Sequence, residues 1–271
     1  MDPQGPIGIF DSGLGGLVMT RAFRTALPLC DFLYLGDTLH VPYGPRSAEA
    51  ILHFTTRAVE YLFSQGCPLV IIACNTASAN ALRKLQQDYL PQHFPDRRVL
   101  GVIVPTIEAA LQTGHTRIGL IATAFTVNSK TYDEELRKVN PEIQLSAKAT
   151  PLLVPLAEND GLHYAKPVLQ DYLAPLIANN IDCLILGCTH YPLFGDTLRE
   201  ILPANVDIIA QNDVVPPKLA AYLYNHVEIA ARISKGAILK ALLTDVTPTY
   251  ERIGAQLLGE AVDFERVVLE D

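Results

Sequence analysis

Short apolar runs rich in β-branched residues alternate along the chain with longer stretches of helical periodicity. Residues 7–10, 32–35, 69–73, 99–103, 118–122, 183–187 and 206–209 read as strands. Between them, 47–64 and 78–89 carry apolar residues at helical spacing. Strands that alternate with helices imply βαβ units and a mostly parallel sheet. Strands without polar alternation imply a sheet covered on both faces. A faint internal repeat sharpens the expectation. Ile7-Gly8-Ile9-Phe10 returns as Ile118-Gly119-Leu120-Ile121, and Val70-Ile71-Ile72-Ala73-Cys74-Asn75-Thr76 returns as Leu184-Ile185-Leu186-Gly187-Cys188-Thr189-His190. The sequence therefore predicts an α/β protein of two pseudo-symmetric domains, each a mostly parallel sheet flanked by helices, with a cleft between them. The expected division is 1–98 plus 211–271 for the first domain and 99–210 for the second. Helical sequence at 217–224 and 250–258 returns to the first.

Composition removes several classes of function. The 21 basic and 29 acidic residues leave a net charge of -8, which lacks the basic footprint of a nucleic-acid binder. No apolar run is long enough to span a membrane. Cys30, Cys67, Cys74, Cys183 and Cys188 are odd in number and form no C-x-x-C pair. They read as reduced thiols of a cytoplasmic protein. Cys183 lies inside an apolar run and Cys67 just before one, so these two, with Cys30, read as core residues.

Cys74 and Cys188 differ from the other three. Each follows an apolar strand and precedes a polar step into a helix, at the strand ends where open α/β sheets bind ligands. Helix N–H groups there are expected to lower the thiol pKa. The first strand closes in Asp11-Ser12-Gly13-Leu14-Gly15-Gly16. This is neither a dinucleotide fingerprint nor a P-loop, but its glycines let backbone approach a ligand. Gly36-Asp37-Thr38 and Val41-Pro42-Tyr43-Gly44 follow the second strand. A zinc site at Cys188 and His190 is not expected, because no second ligand pair has suitable spacing. His40, His53, His93, His115, His163 and His226 read as surface or loop residues. Two thiols at facing sheet mouths suit inversion at a carbon acid: one removes a proton from one face and the other returns one to the opposite face. A thiol hydrolase using Cys188 and His190, and a binding protein without turnover, also fit these residues.

IGIFDSGLGG at 7–16, ACNTASA at 73–79 and LGCTHYPL at 186–193, with the 36–44 segments, closely resemble the cofactor-independent glutamate racemases of the aspartate/glutamate racemase superfamily. The resemblance implies that Cys74 and Cys188 are the catalytic pair, working without pyridoxal phosphate or metal. It implies that Asp11 and His190 assist the two thiols, one on each side, and that Glu158, after the V-P-L segment, supports the second. Asp11, Ser12, Tyr43, Gly44, Asn75, Thr76, Thr123, Thr126, Thr189 and His190 would contact or line the substrate site. The implied reaction interconverts L- and D-glutamate, which supplies D-glutamate for peptidoglycan, and the implied assembly is a homodimer. Aspartate or another amino-acid-like substrate remains an alternative. The chain departs from the family's common pattern at Thr106, at Thr150-Pro151, and at Gln211-Asn212, where many members have Ser-Gly.

Overall fold

The computed structural model describes residues 4–269, so the outer ends of the expected first domain, 1–3 and 270–271, lie outside it. Among the described residues ten strands follow in chain order: β1 Ile7–Asp11, β2 Phe32–Gly36, β3 Leu69–Ile72, β4 Arg98–Gly101, β5 Arg117–Ala122, β6 Gln144–Ala149, β7 Cys183–Gly187, β8 Asp207–Ile209, β9 Leu239–Leu243 and β10 Phe264–Arg266. They form two sheets. One runs β10-β9-β2-β1-β3-β4 and the other β6-β5-β7-β8. All their named pairings are parallel. The fold class read from the sequence is the one observed, and the repeat has a geometric meaning. β1 lies between β2 and β3 with β4 beyond, just as β5 lies between β6 and β7 with β8 beyond.

Both faces of the first sheet are dry. On β1, Ile7 and Ile9 point into one apolar cluster and Phe10 into another; on β3, Leu69 and Ile71 oppose Val70 and Ile72 in the same way. β7 divides likewise, with Leu184 and Leu186 on one face and Cys183 and Ile185 on the other. Each fully buried aliphatic side chain of this kind contributes about 1.5–3 kcal/mol. This two-sided burial is why the central strands read as uninterrupted apolar runs.

The strand expected at 99–103 ends earlier. β4 stops at Gly101, Val102 caps the next helix and Ile103–Gln112 is helical. Pro105 is tolerated there because the first-turn N–H has no partner in any case. The helix expected at 78–89 begins sooner, at Asn75, and widens after Lys84 into a π-helical turn, Leu85–Tyr89. β6, β9 and β10 were not anticipated. β6 and β10 are edge strands with half-exposed, polar-rich faces, so neither presents an apolar run. The helices Gln211–Asn225 and Pro248–Leu258 pack on Gly16–Ala26, burying Val215, Leu219, Ile253 and Leu257 with Leu17 and Phe23. Among the described residues no helix is long and apolar enough to cross a membrane.

Candidate active site

Parallel strands carry their chain-end loops to one edge, and here the carboxyl edges of the two sheets meet. A cavity of about 210 Å³ opens between them, and both Cys74 and Cys188 line it. Cys74 ends the β3 segment and is the N-cap residue of the helix Asn75–Lys84, with extended backbone. Cys188 directly follows β7, ahead of a 3₁₀ turn, Tyr191–Phe194, that leads into the helix Gly195–Ile201. The two thiols thus hold corresponding positions on corresponding strands. Cys30, Cys67 and Cys183 line neither side of this cavity.

The thiols differ in their partners. Cys74 Sγ donates to Ser12 Oγ at 3.2 Å. Asp11, fully buried, accepts the Gly13 N–H at 3.2 Å and the Thr189 hydroxyl at 3.4 Å, the latter reaching across from the other sheet. Burial raises the Asp11 carboxyl above its ordinary range, against the pull of His190 and the Gly13 and Gly16 N–H groups. The expectation that helix N–H groups lower the Cys74 thiol is not met. Burial and the Asp11 charge push it up to about 12, outweighing the Ser12 hydrogen bond and the Ala77 N–H.

On the other side, Cys188 Sγ lies 3.7 Å from His190 Nδ1, and His190 Nε2 lies 2.9 Å from Glu158 Oε1. Burial acts to lower the His190 pKa, but the hydrogen bonds and negative charges of Cys188 and Glu158 prevail, holding it well above 6.5. An imidazolium at this distance is a favourable neighbour for a thiolate.

Hydroxyls close the cleft between the sheets. Thr76 Oγ1 lies 2.9 Å from Thr123 Oγ1, which lies 3.0 Å from Thr126 Oγ1. Thr123 is placed by its own role as helix cap, accepting the Thr126 N–H at 3.4 Å. Ser12, Tyr43, Gly44, Thr189 and His190 line the cavity with the thiols, as do Asn75, Thr76, Thr123 and Glu158. Asp11 and Thr126 stand behind this lining. Tyr43 is buried, and its hydroxyl donates to Asp37 Oδ2 at 2.6 Å. Asp37 also accepts from Thr244 at 2.9 Å, so Asp37 tethers the Tyr43 loop to the end of β9. The lining contains no Lys or Arg. An anionic ligand there meets hydroxyls, His190 and the leading N–H groups of the helix Asn75–Lys84, which lack intrahelical partners.

Val41 and Pro42, in the segment read from the sequence as lying at the sheet edge, form part of the cavity's apolar wall; sequence reasoning missed the rest of it, Pro45, Val154 and Pro155. Val154 and Pro155 share the short helix Leu153–Glu158 with Glu158, and that adjacency was the available signal. Two glycines are required by close approach. A Cβ on Gly16 would stand 2.5 Å from Asp11 Cβ, and one on Gly15 would stand 2.4 Å from Thr189 Oγ1 and 2.5 Å from His190 Nδ1. One trio of metal-type donors, His115, Asp182 and Cys183, gathers at the opposite edge of the second sheet. His115 is more enclosed there than a loop histidine was expected to be, between Asp182 and Asp207. The Asp182 carboxylate is already occupied by the Thr116 and Arg117 N–H groups.

Known proteins resemble this chain in sequence and in fold. The Asp/Glu/Hydantoin racemase family profile matches residues 18–233. The glutamate racemase of Exiguobacterium sibiricum is 37% identical over 267 residues, 97% of this chain and 96% of that one. Among solved structures, the glutamate racemase isoform RacE1 of Bacillus anthracis superposes with a TM-score of 0.89 at 31% identity, covering 98% of each chain. The glutamate racemase of Francisella tularensis, solved in complex with D-glutamate, gives 0.89 at 30% identity, covering 100% of this chain and 99% of that one. With a profile that spans most of its length and relatives alike in sequence and in fold from end to end, the chain belongs to the Asp/Glu/Hydantoin racemase family.

Proposed function

We propose that the chain is a glutamate racemase that inverts the α-carbon by proton transfer between Cys74 and Cys188. The observation that carries this reading is the placement of both thiols on one cavity, at matching strand ends, with unlike polar partners. Glutamate bound between them exposes one face of its α-carbon to each sulfur. The thiolate on one side takes the α-proton, the C–H electron pair stays on carbon, and the thiol opposite delivers its proton to the other face. The two sulfurs exchange protonation states, and the reverse direction uses the same groups in swapped roles. Burial and the Asp11 charge raise the Cys74 thiol to about 12, whereas Cys188 lies beside the His190–Glu158 pair, so the two sulfurs have unlike polar partners. Asp11 and His190 take up and return protons at the two sulfurs, Glu158 holds His190, and N–H groups with the Ser12, Thr76, Thr123 and Thr189 hydroxyls hold the carboxylates and stabilise the carbanion.

The chemistry needs neither pyridoxal phosphate nor a metal, because the thiols supply both acid and base. The family resemblance assigns the product to peptidoglycan synthesis and supports a homodimer. Five free cysteines fit a cytoplasmic protein. Each sheet with its helices is read as one domain, close to the expected 1–98 plus 211–271 and 99–210, but with the first boundary moved past Gly101 because β4 belongs to the first sheet. A polarimetric substrate panel tests the assignment: glutamate is turned over and aspartate is at least a hundredfold slower, whereas faster turnover of aspartate would overturn the choice of substrate.

A further inference from the structure

Asn75, the residue after Cys74, lines the cavity, yet its side-chain amide is committed elsewhere. Its Nδ2 donates to Gln211 Oε1 at 2.7 Å, and its Oδ1 accepts from Gln211 Nε2 at 2.9 Å and from the Tyr132 hydroxyl at 2.8 Å. Gln211 Nε2 also reaches the Tyr132 oxygen at 3.2 Å, which closes the ring. All three side chains are buried to within 2% of full. Each sits at the start of a different helix: Asn75 after β3 of the first sheet, Tyr132 in Thr131–Val139 beside the second, and Gln211 where the chain leaves β8 to return to the first. Gln211 has a side chain long enough to pair both ends of the Asn75 amide. A serine hydroxyl has a shorter reach and a single donor.

We infer that Gln211 is a positioning residue: by pairing with Asn75 and Tyr132 it fixes the Cys74-bearing turn against the second sheet and so sets how the two thiols face each other. The inference rests on the racemase reading of the site. A buried network in which every member is satisfied holds its geometry tightly, and removing one member leaves the others without partners. Gln211 does not line the cavity, so its effect passes through the turn and not through substrate contact. Small misplacement of a proton donor has a large kinetic cost, since proton transfer needs the reacting groups within hydrogen-bond reach.

The test uses Gln211→Met, which keeps side-chain length, with Gln211→Ser and Tyr132→Phe as companions. Racemisation of protonated and 2-deuterated glutamate is followed with thermal melting of each variant. The expected result for Gln211→Met is a kcat at least tenfold lower, KM within threefold of wild type, and a larger deuterium effect on kcat, because the transfer step becomes more limiting. Tyr132→Phe falls in the same direction by less, and combined with Gln211→Met it adds little. A purely structural role would lower activity in step with the folded fraction and leave the isotope effect unchanged. That result, or a kcat within twofold of wild type, overturns the inference while the racemase reading stands. If Gln211→Met does not fold, Tyr132→Phe decides: a kcat more than twofold lower with a larger deuterium effect supports the inference, and a kcat within twofold of wild type or an unchanged isotope effect overturns it. Wild-type protein that leaves glutamate unracemised overturns the racemase reading and this inference with it.

Discussion

The surroundings of Cys74 and of Cys188 are alike in backbone and unlike in charge. Each sulfur follows the strand next to the centre of its sheet, β3 beside β1 and β7 beside β5. Beside Cys74 stand a hydroxyl and a fully buried carboxyl, and the thiol is driven up to about 12. Beside Cys188 stands an imidazole drawn toward its charged form by Cys188 and Glu158. Matching strand ends bring the two sulfurs to one cavity, and the residues that flank them differ from one side to the other.

Replacing the sulfurs tests that comparison at its strongest. Cys74→Ala and Cys188→Ala are each expected to lower racemisation at least about a thousandfold, since each removes one of the two proposed proton carriers. Steady-state kinetics in both directions checks this, and a variant retaining a tenth of the activity would show that one sulfur suffices. Asp11→Asn and His190→Asn separate the two sides. Each is expected to cost about a hundredfold in kcat, and indifference to either would mean that sulfur works without its partner.

Smaller effects come from the contact between the halves. Gly15→Ala places a methyl group against Thr189 and His190, at 2.4 and 2.5 Å, and is expected to lower kcat about tenfold by displacing the imidazole. Gly13→Ala meets Val41 Cγ1 at 3.0 Å and Glu158 Oε1 at an ordinary contact distance of 3.7 Å, and is expected to be milder. Equal kinetics for the two variants would show that the approach of Gly15 to the Cys188 side is unimportant. The smallest effect is on stability. Because the folded pKa of His190 is raised, its contribution is complete below about 6.5, the ordinary value, and declines as pH rises through the folded value. Chemical denaturation of wild type and His190→Asn across this range is expected to show the gap between them narrowing toward alkaline pH. A gap that widens would reverse the sign assigned to His190.

Much of this site was legible in the sequence because it is carried by contiguous segments at strand ends. Asp11, Cys74, Cys188 and His190 announce themselves next to apolar runs, and parallel topology delivers such ends to one edge. The edge strands β6 and β10 were not legible, since partial exposure removes the apolar run that marks a strand. The direction of the Cys74 shift was also hidden. It depends on how much water the closed cleft excludes and on Asp11 lying close by, and neither is a property of the residues around position 74. Gln211 was visible only as a departure from a pattern; its partners lie 136 and 79 positions away in the chain, and only folding brings them together.

Incubation of the protein, freed of metal and pyridoxal phosphate, with L-glutamate in D2O tests two-thiol transfer most directly. Circular dichroism and the α-proton NMR signal are followed together. Loss of optical activity in parallel with replacement of the α-proton by deuterium is the predicted result. Glutamate that binds yet keeps both its rotation and its α-proton would contradict it.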